Sequence, residues 1–217
     1  MRVLCIIIFG LIVPLIGGST NAATFAANPQ SATVDTVMSK VKERFAGINS
    51  IAAEFTQESK FGSTLTGTLT GKVSLQRPGK MKWVYSNGDV VTSDGTTTWI
   101  YQPDLNQVIE SRGSASAIVA GFLTGMEDVK KDFRVSLVGE SKDAFILRLA
   151  PKETQGNIKG VTIEISKMDY LVKKTIVEDQ FGTTTEVSFK DMRLNEPLKE
   201  GIFEFKPPKG AKIARTQ

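Results

Sequence analysis

Chemistry in this 217-residue chain has few of the usual tools to work with. There is no histidine, which removes the commonest general base, the usual metal ligand and the side chain that titrates near neutrality. The single cysteine, Cys5, excludes an internal disulfide and a cysteine-built zinc site. Ser39-x-x-Lys42 has the spacing of a serine–lysine nucleophile pair, but both residues lie off the apolar face of their helix with no third group beside them. No phosphate-cradling loop and no GxSxG turn occurs. Lys72, Lys80 and Lys82 alternate with apolar residues and read as an outward strand face. The net charge of +4 is too mild and too evenly spread for a nucleic-acid footprint. Asp94 and Asp104 fall in turns, where aspartate is expected. The sequence therefore predicts no enzyme, no cofactor and no metal.

What remains is one cation and a set of apolar rings. Arg77 falls in phase with Leu69, Val73 and Leu75 on an apolar strand face. A guanidinium aimed at that face needs acceptors, and its five donors suit backbone carbonyls such as those at a helix C-terminus. Arg77 is then a latch between sheet and helix; the alternative is that Pro78 ends the strand and Arg77 snorkels to solvent. Trp83, Tyr85, Trp99 and Tyr101 occupy same-phase positions of two nearby strands, either as core or as the lining of an apolar ligand site.

These residues need elements to place them. Arg2, an apolar run from Val3 to Ile16 and the small residues that follow describe a cleaved secretory signal, residues 1–22, rather than a membrane span. The mature chain, 23–217, reads as one exported domain without cysteine. After a polar lead-in over 23–31, Val34, Val37, Met38, Val41, Phe45 and Ile48 recur at helical spacing, with Ser31 or Thr33 as cap and Gly47 as stop. From Ser50 the period becomes two: Ile51, Ala53 and Phe55, then Leu65, Gly67, Leu69, Gly71, Val73 and Leu75 against outward threonines. The glycines on that face allow curvature or close approach of another group and lean towards an interior space. Further strands are expected at 80–86, 90–93, 96–102, 107–110, 133–138, 145–149, 161–165, 172–178 and 184–194, several joined by tight turns such as Asn87-Gly88 and Asp94-Gly95, with a final extended piece at 203–206 ended by Pro207-Pro208. Small and apolar residues between 114 and 131 predict one or two short helices, a mobile cover for the sheet. The sum is mainly β: about eleven antiparallel strands in a strongly curved, unclosed barrel with helices over its concave side.

Phe55-Thr56-Gln57, Leu75-Gln-Arg77-Pro78-Gly-Lys-Met-Lys-Trp83, Ser93-Asp94-Gly95, Trp99-Ile-Tyr101-Gln-Pro103 and the tail Phe203-Glu-Phe205-Lys-Pro207-Pro208-Lys-Gly210 together resemble the LolA family of periplasmic lipoprotein carriers. The resemblance implies an unclosed antiparallel barrel with a helical lid over a hydrophobic cavity. It implies triacylated lipoproteins as cargo, an inner-membrane ABC transporter as their source and an outer-membrane lipoprotein acceptor as their destination, with the carrier itself a monomer in the periplasm. The family's lid-holding arginine maps onto Arg77; Met81 stands where an aromatic often follows. The acyl-chain cavity is then expected from Phe55, Leu65, Leu69, Val73, Leu75, Met81, Trp83, Trp99 and Tyr101, and the lid from Ile118, Val119, Phe122 and Leu123. A lipid- or lipoprotein-binding sensor is the alternative, and an anchored acceptor would need a lipidated cysteine after the signal, which is absent.

Overall fold

The computed structural model describes residues 32–112, 129–153 and 157–216. The signal segment, the lead-in and the lid residues Ile118, Val119, Phe122 and Leu123 lie outside them. Helix α1, Val34–Ala46, follows its sequence signals closely. The Thr33 hydroxyl accepts from the Thr36 N–H at 3.2 Å, Asp35 stands in the first turn, Arg44 in the last, and Gly47 follows. Its buried side are Val37, Met38, Val41 and Phe45, the positions that helical spacing selects.

Twelve strands follow: β1 Ser50–Phe61, β2 Thr64–Gln76, β3 Lys80–Tyr85, β4 Val90–Asp94, β5 Thr97–Gln102, β6 Gln107–Arg112, β7 Phe133–Glu140, β8 Ala144–Pro151, β9 Ile158–Ser166, β10 Val172–Asp179, β11 Thr183–Leu194 and β12 Lys212–Thr216. A one-turn helix α2, Val129–Asp132, precedes β7. They form one sheet in the order β12-β6-β5-β4-β3-β2-β1-β11-β10-β9-β8-β7, whose two edges do not meet. All pairs are antiparallel except β12 with β6, which is parallel. The extended piece at Phe203–Lys206 joins no ladder, since Pro207 and Pro208 cannot supply ladder N–H groups; β12, which the sequence reading did not place, begins at Lys212, whose N–H donates to Asn106 O at 2.9 Å.

Register sorts the side chains into two faces. On the concave face Ile51, Leu75 and Met81 align in one row, Ala53, Val73, Trp83, Val91 and Ile100 in the next, and Phe55, Gly71, Tyr85 and Phe189 in a third. Leu147, Leu149, Val161, Ile163 and Ile165 continue it across β8 and β9, all fully buried. The apolar side of α1 joins all of these in one core, burying both amphipathic surfaces at once. The outer face carries charge. Lys174 lies between Glu164 and Glu186, and Arg148 grips Glu178 with both guanidinium nitrogens at 3.2 and 2.8 Å, which holds that carboxyl below its ordinary range. Lys72, Lys80 and Lys82 are on this face.

Candidate functional site

The concave face beneath α1 is built around Phe55. Its ring meets Trp83 edge-on at 4.9 Å and Tyr85 at 5.1 Å, and Phe189 completes the set 6.1 Å from Trp83. A methyl at Gly71 would come within 2.6 Å of the Phe55 ring. That glycine therefore makes room for an aromatic side chain, not for an empty space, whereas Gly67 on the same strand has nothing within 4 Å. Burial among these rings, with Asp89 nearby, pushes the Tyr85 phenol up to about 12.

Phe55, Val73, Leu75, Met81 and Trp83 thus meet on one buried surface, with Leu69 half-buried further along β2. Three others of the expected cavity set do not join them. A β-bulge where Ser59 pairs Gly67 but Lys60 pairs Leu65 reverses the phase of β2, so Leu65 points outward and is 53% exposed. The β4–β5 hairpin pairs Val91 with Ile100, which shifts the concave positions from odd to even numbers. Trp99 and Tyr101 therefore lie on the outer face. There Trp99 stacks on Phe205 at 5.7 Å and its indole N–H donates to Glu110 at 3.3 Å. Val108, opposite Tyr101, is fully buried on this side. The chain after β11 forms a strap over 195–211 that returns across this outer face to β6.

Arg77 closes β2 at the end where α1 leaves the sheet. Its backbone N–H donates to Asn49 O at 2.9 Å, the Arg77–Pro78 bond is cis, and Nε is buried. The residue as a whole is half-buried. It lines a cavity of about 20 Å³ with Ile48, Asn49, Leu75 and Met81, room for about one water. The turn behind it is tightly nested, since Gly95, at φ +100°, lies so close to Pro78 O that a methyl would sit 3.0 Å away.

Two further residues were not singled out by sequence reasoning. Gln57 is buried on the concave face between Leu69 and Val187. Asn195, at φ 57°, accepts the Asn49 and Ser50 N–H groups at 2.7 and 3.3 Å through its side-chain oxygen and donates to Gly47 O at 2.8 Å. It pins the chain just after α1 to the end of β11. An asparagine at a strand end, a residue that tolerates left-handed backbone, was the only signal for it. At the other end of α1, Asp35 meets Lys130 of α2 at 3.1 Å, both well exposed. Ser39 and Lys42 are exposed, so the nucleophile spacing has no site around it. Among the described residues no three His, Cys, Asp or Glu side chains gather to hold a metal ion, and no helix is long and apolar enough to cross a membrane.

The described residues form an open, mainly β half-barrel with an amphipathic helix on its concave face, and comparison with known proteins places it in a family. The sequence model of the family described as outer membrane lipoprotein carrier protein LolA matches residues 46–206. The chain is 34% identical over 180 residues to the outer-membrane lipoprotein carrier protein of Cupriavidus necator, covering 78% of this chain and 83% of that one. It is 28% identical over 209 residues to that of Chromobacterium violaceum, covering 92% and 96%. Among solved structures, an uncharacterized conserved protein from Thermus thermophilus shares the fold at TM-score 0.55 and 14% identity, over 84% of this chain and 98% of that one. The chain belongs to the LolA family.

Proposed function

We propose that this protein is a non-enzymatic carrier of lipoproteins, in which the concave face of the sheet shields acyl chains once α1 has moved aside. The observation that supports it is the pairing of a continuous apolar sheet face with an amphipathic helix, in a chain related to named lipoprotein carriers. Residues 1–22 direct export and are removed, and 23–217 work as a single monomeric domain in the periplasm. Cargo comes from an inner-membrane ABC transporter and goes to an outer-membrane acceptor.

The energetics suit reversible loading. The cavity beside Arg77 is far too small for an acyl chain, so α1 must yield its place. Exposing Val37, Met38, Val41 and Phe45 costs about 6–12 kcal/mol, at about 1.5–3 per side chain. One acyl chain of about 14 methylenes returns about 11 kcal/mol, at about 0.8 per CH₂. One chain thus offsets the cost of moving α1, and the further chains of a triacylated cargo add to the bound side. In the latch role Arg77 would add to the closed side, where each hydrogen bond to a charged group contributes about 1.5–3 kcal/mol.

The test is a release assay in which purified residues 23–217 are added to spheroplasts and triacylated lipoprotein is measured in the supernatant. Soluble one-to-one complexes that require the inner-membrane transporter are expected. No release by a folded protein that still binds apolar dyes overturns the reading in favour of a sensor or another lipid ligand. Arg77→Leu is expected to load cargo but transfer it poorly to an acceptor, and normal transfer removes Arg77 from the latch role.

A further inference from the structure

Eight large apolar side chains stand exposed among the described residues, and three of them, Phe61, Leu65 and Phe181, belong to two neighbouring hairpins at one end of the sheet. It is the end opposite the Arg77 turn. Phe61 and Phe181 occupy the tips of neighbouring hairpins, β1–β2 and β10–β11, and are 61% and 67% exposed. The two tips share one pattern, Phe-Gly-Ser/Thr-Thr: Phe61-Gly62-Ser63-Thr64 and Phe181-Gly182-Thr183-Thr184. Both glycines have positive φ, at 57° and 88°, and the Gly62 N–H donates to Gly182 O at 3.1 Å. The hairpins are thereby braced against each other, with the Phe61 ring 4.0 Å from the Cβ position of Gly182. They present their rings as a unit.

The chemistry around the rings identifies what they meet. The eleven residues from Phe61 to Gly71 carry no charge, nor do the six from Gln180 to Thr185, and threonine dominates both stretches. The nearest cation on β1, Lys60, is already paired with Glu58 at 3.2 Å. The one carboxylate in the β10–β11 turn, Asp179, is taken up by the Phe181 and Thr183 N–H groups at 2.9 and 2.7 Å, and an apolar tip with a collar of hydroxyls matches the boundary between headgroups and acyl chains. There, aromatic and aliphatic side chains leave water while hydroxyls keep their hydrogen bonds, and a charge would have to be desolvated. The exported chain keeps a net charge of +3 once Arg2 leaves with the signal, which complements an anionic bilayer during approach. We propose that the joined Phe61 and Phe181 hairpin tips, with Leu65 beside them, dock the protein transiently on a phospholipid surface.

The experiment uses the exported protein and vesicles of phosphatidylethanolamine and phosphatidylglycerol, without cargo or transporter. An environment-sensitive dye is placed on Ser63→Cys, in the β1–β2 turn, or on Met168→Cys, in the β9–β10 turn at the other end of the sheet. A blue shift with vesicles at position 63 and none at 168 is expected. The Phe61→Ser/Leu65→Ser/Phe181→Ser variant should melt near the parent temperature, because these side chains are exposed, and should lose about tenfold or more of its vesicle partitioning. Equal shifts at both positions, no shift at 63, or undiminished partitioning of the triple variant overturns the proposal. A shift at 63 that appears only with membranes containing the transporter also overturns it and makes the tip a protein contact. Because no lipoprotein is present, failure here leaves the carrier reading intact, and failure of the release assay leaves this result standing.

Discussion

Gly71 and Phe55 form a matched pair, and replacing the smaller partner shows how tightly the trough is built. Gly71→Ala puts a methyl into the Phe55 ring and against the Val84 carbonyl. It is expected to destabilise the protein by about 1–3 kcal/mol, read as a lower melting temperature; an unchanged melt means the ring can retreat at no cost. Tyr85, in the same cluster, makes a pH prediction. Its phenol keeps its proton up to about 12 in the folded protein against an ordinary value of 10.0. Between those values the unfolded chain has lost a proton that the native state retains, so stability is complete below 10 and falls as pH rises towards 12. The melting temperature should drop across that window, and more gently in Tyr85→Phe. The sequence revealed the participants here but not their partnership. Period-two spacing identified Phe55, Gly71 and Trp83 as sharing a face, yet it left Gly71 as room for a guest when a neighbouring ring already fills it.

At the level of elements, α1 and the strands of the β1–β3 hairpins were legible because each carries an unbroken period and explicit stops such as Gly47, Asn87-Gly88 and Asp94-Gly95. Relations between elements were less so. One added residue at the bulge turned Leu65 outward, and the registry of one hairpin carried Trp99 and Tyr101 to the far face; neither count can be made until two strands are paired. The tail's extended piece was legible but its partners were not: Phe205 covers Trp99 with its ring, and the backbone joins the sheet only at β12. Asn195 shows what holds α1 to this framework. Asn195→Gly keeps the left-handed backbone and deletes three hydrogen bonds, so it isolates the side chain. A loss of about 1.5–4 kcal/mol and faster amide exchange at Asn49 and Ser50 are expected; unchanged exchange at both would show that the strap alone holds the joint.

Among the described residues, α1 is held by several side-chain hydrogen bonds at its exit and by an exposed ion pair near its start. Asn195 fastens its exit, whereas an exposed Asp35–Lys130 pair is the ion pair seen near its start, and such pairs contribute about 0–1 kcal/mol. The helix should therefore lift start-first. Asp35→Cys and Lys130→Cys joined by a short bis-maleimide should abolish acyl-cargo loading, while the same double variant without the linker loads normally. Loading by the linked form would place the entrance elsewhere.

The unmet edges of the sheet have a consequence for the range of cargo. In a closed barrel the circumference is fixed by strand number and stagger, and widening it means breaking ladder hydrogen bonds. Here the ladder begins at β12 and ends at β7 with no bond between them. The girth can change by altering the twist between neighbouring strands while every existing backbone pair survives. Such a vessel is compliant: guests of different bulk reshape one wall instead of each needing a cavity cut to size.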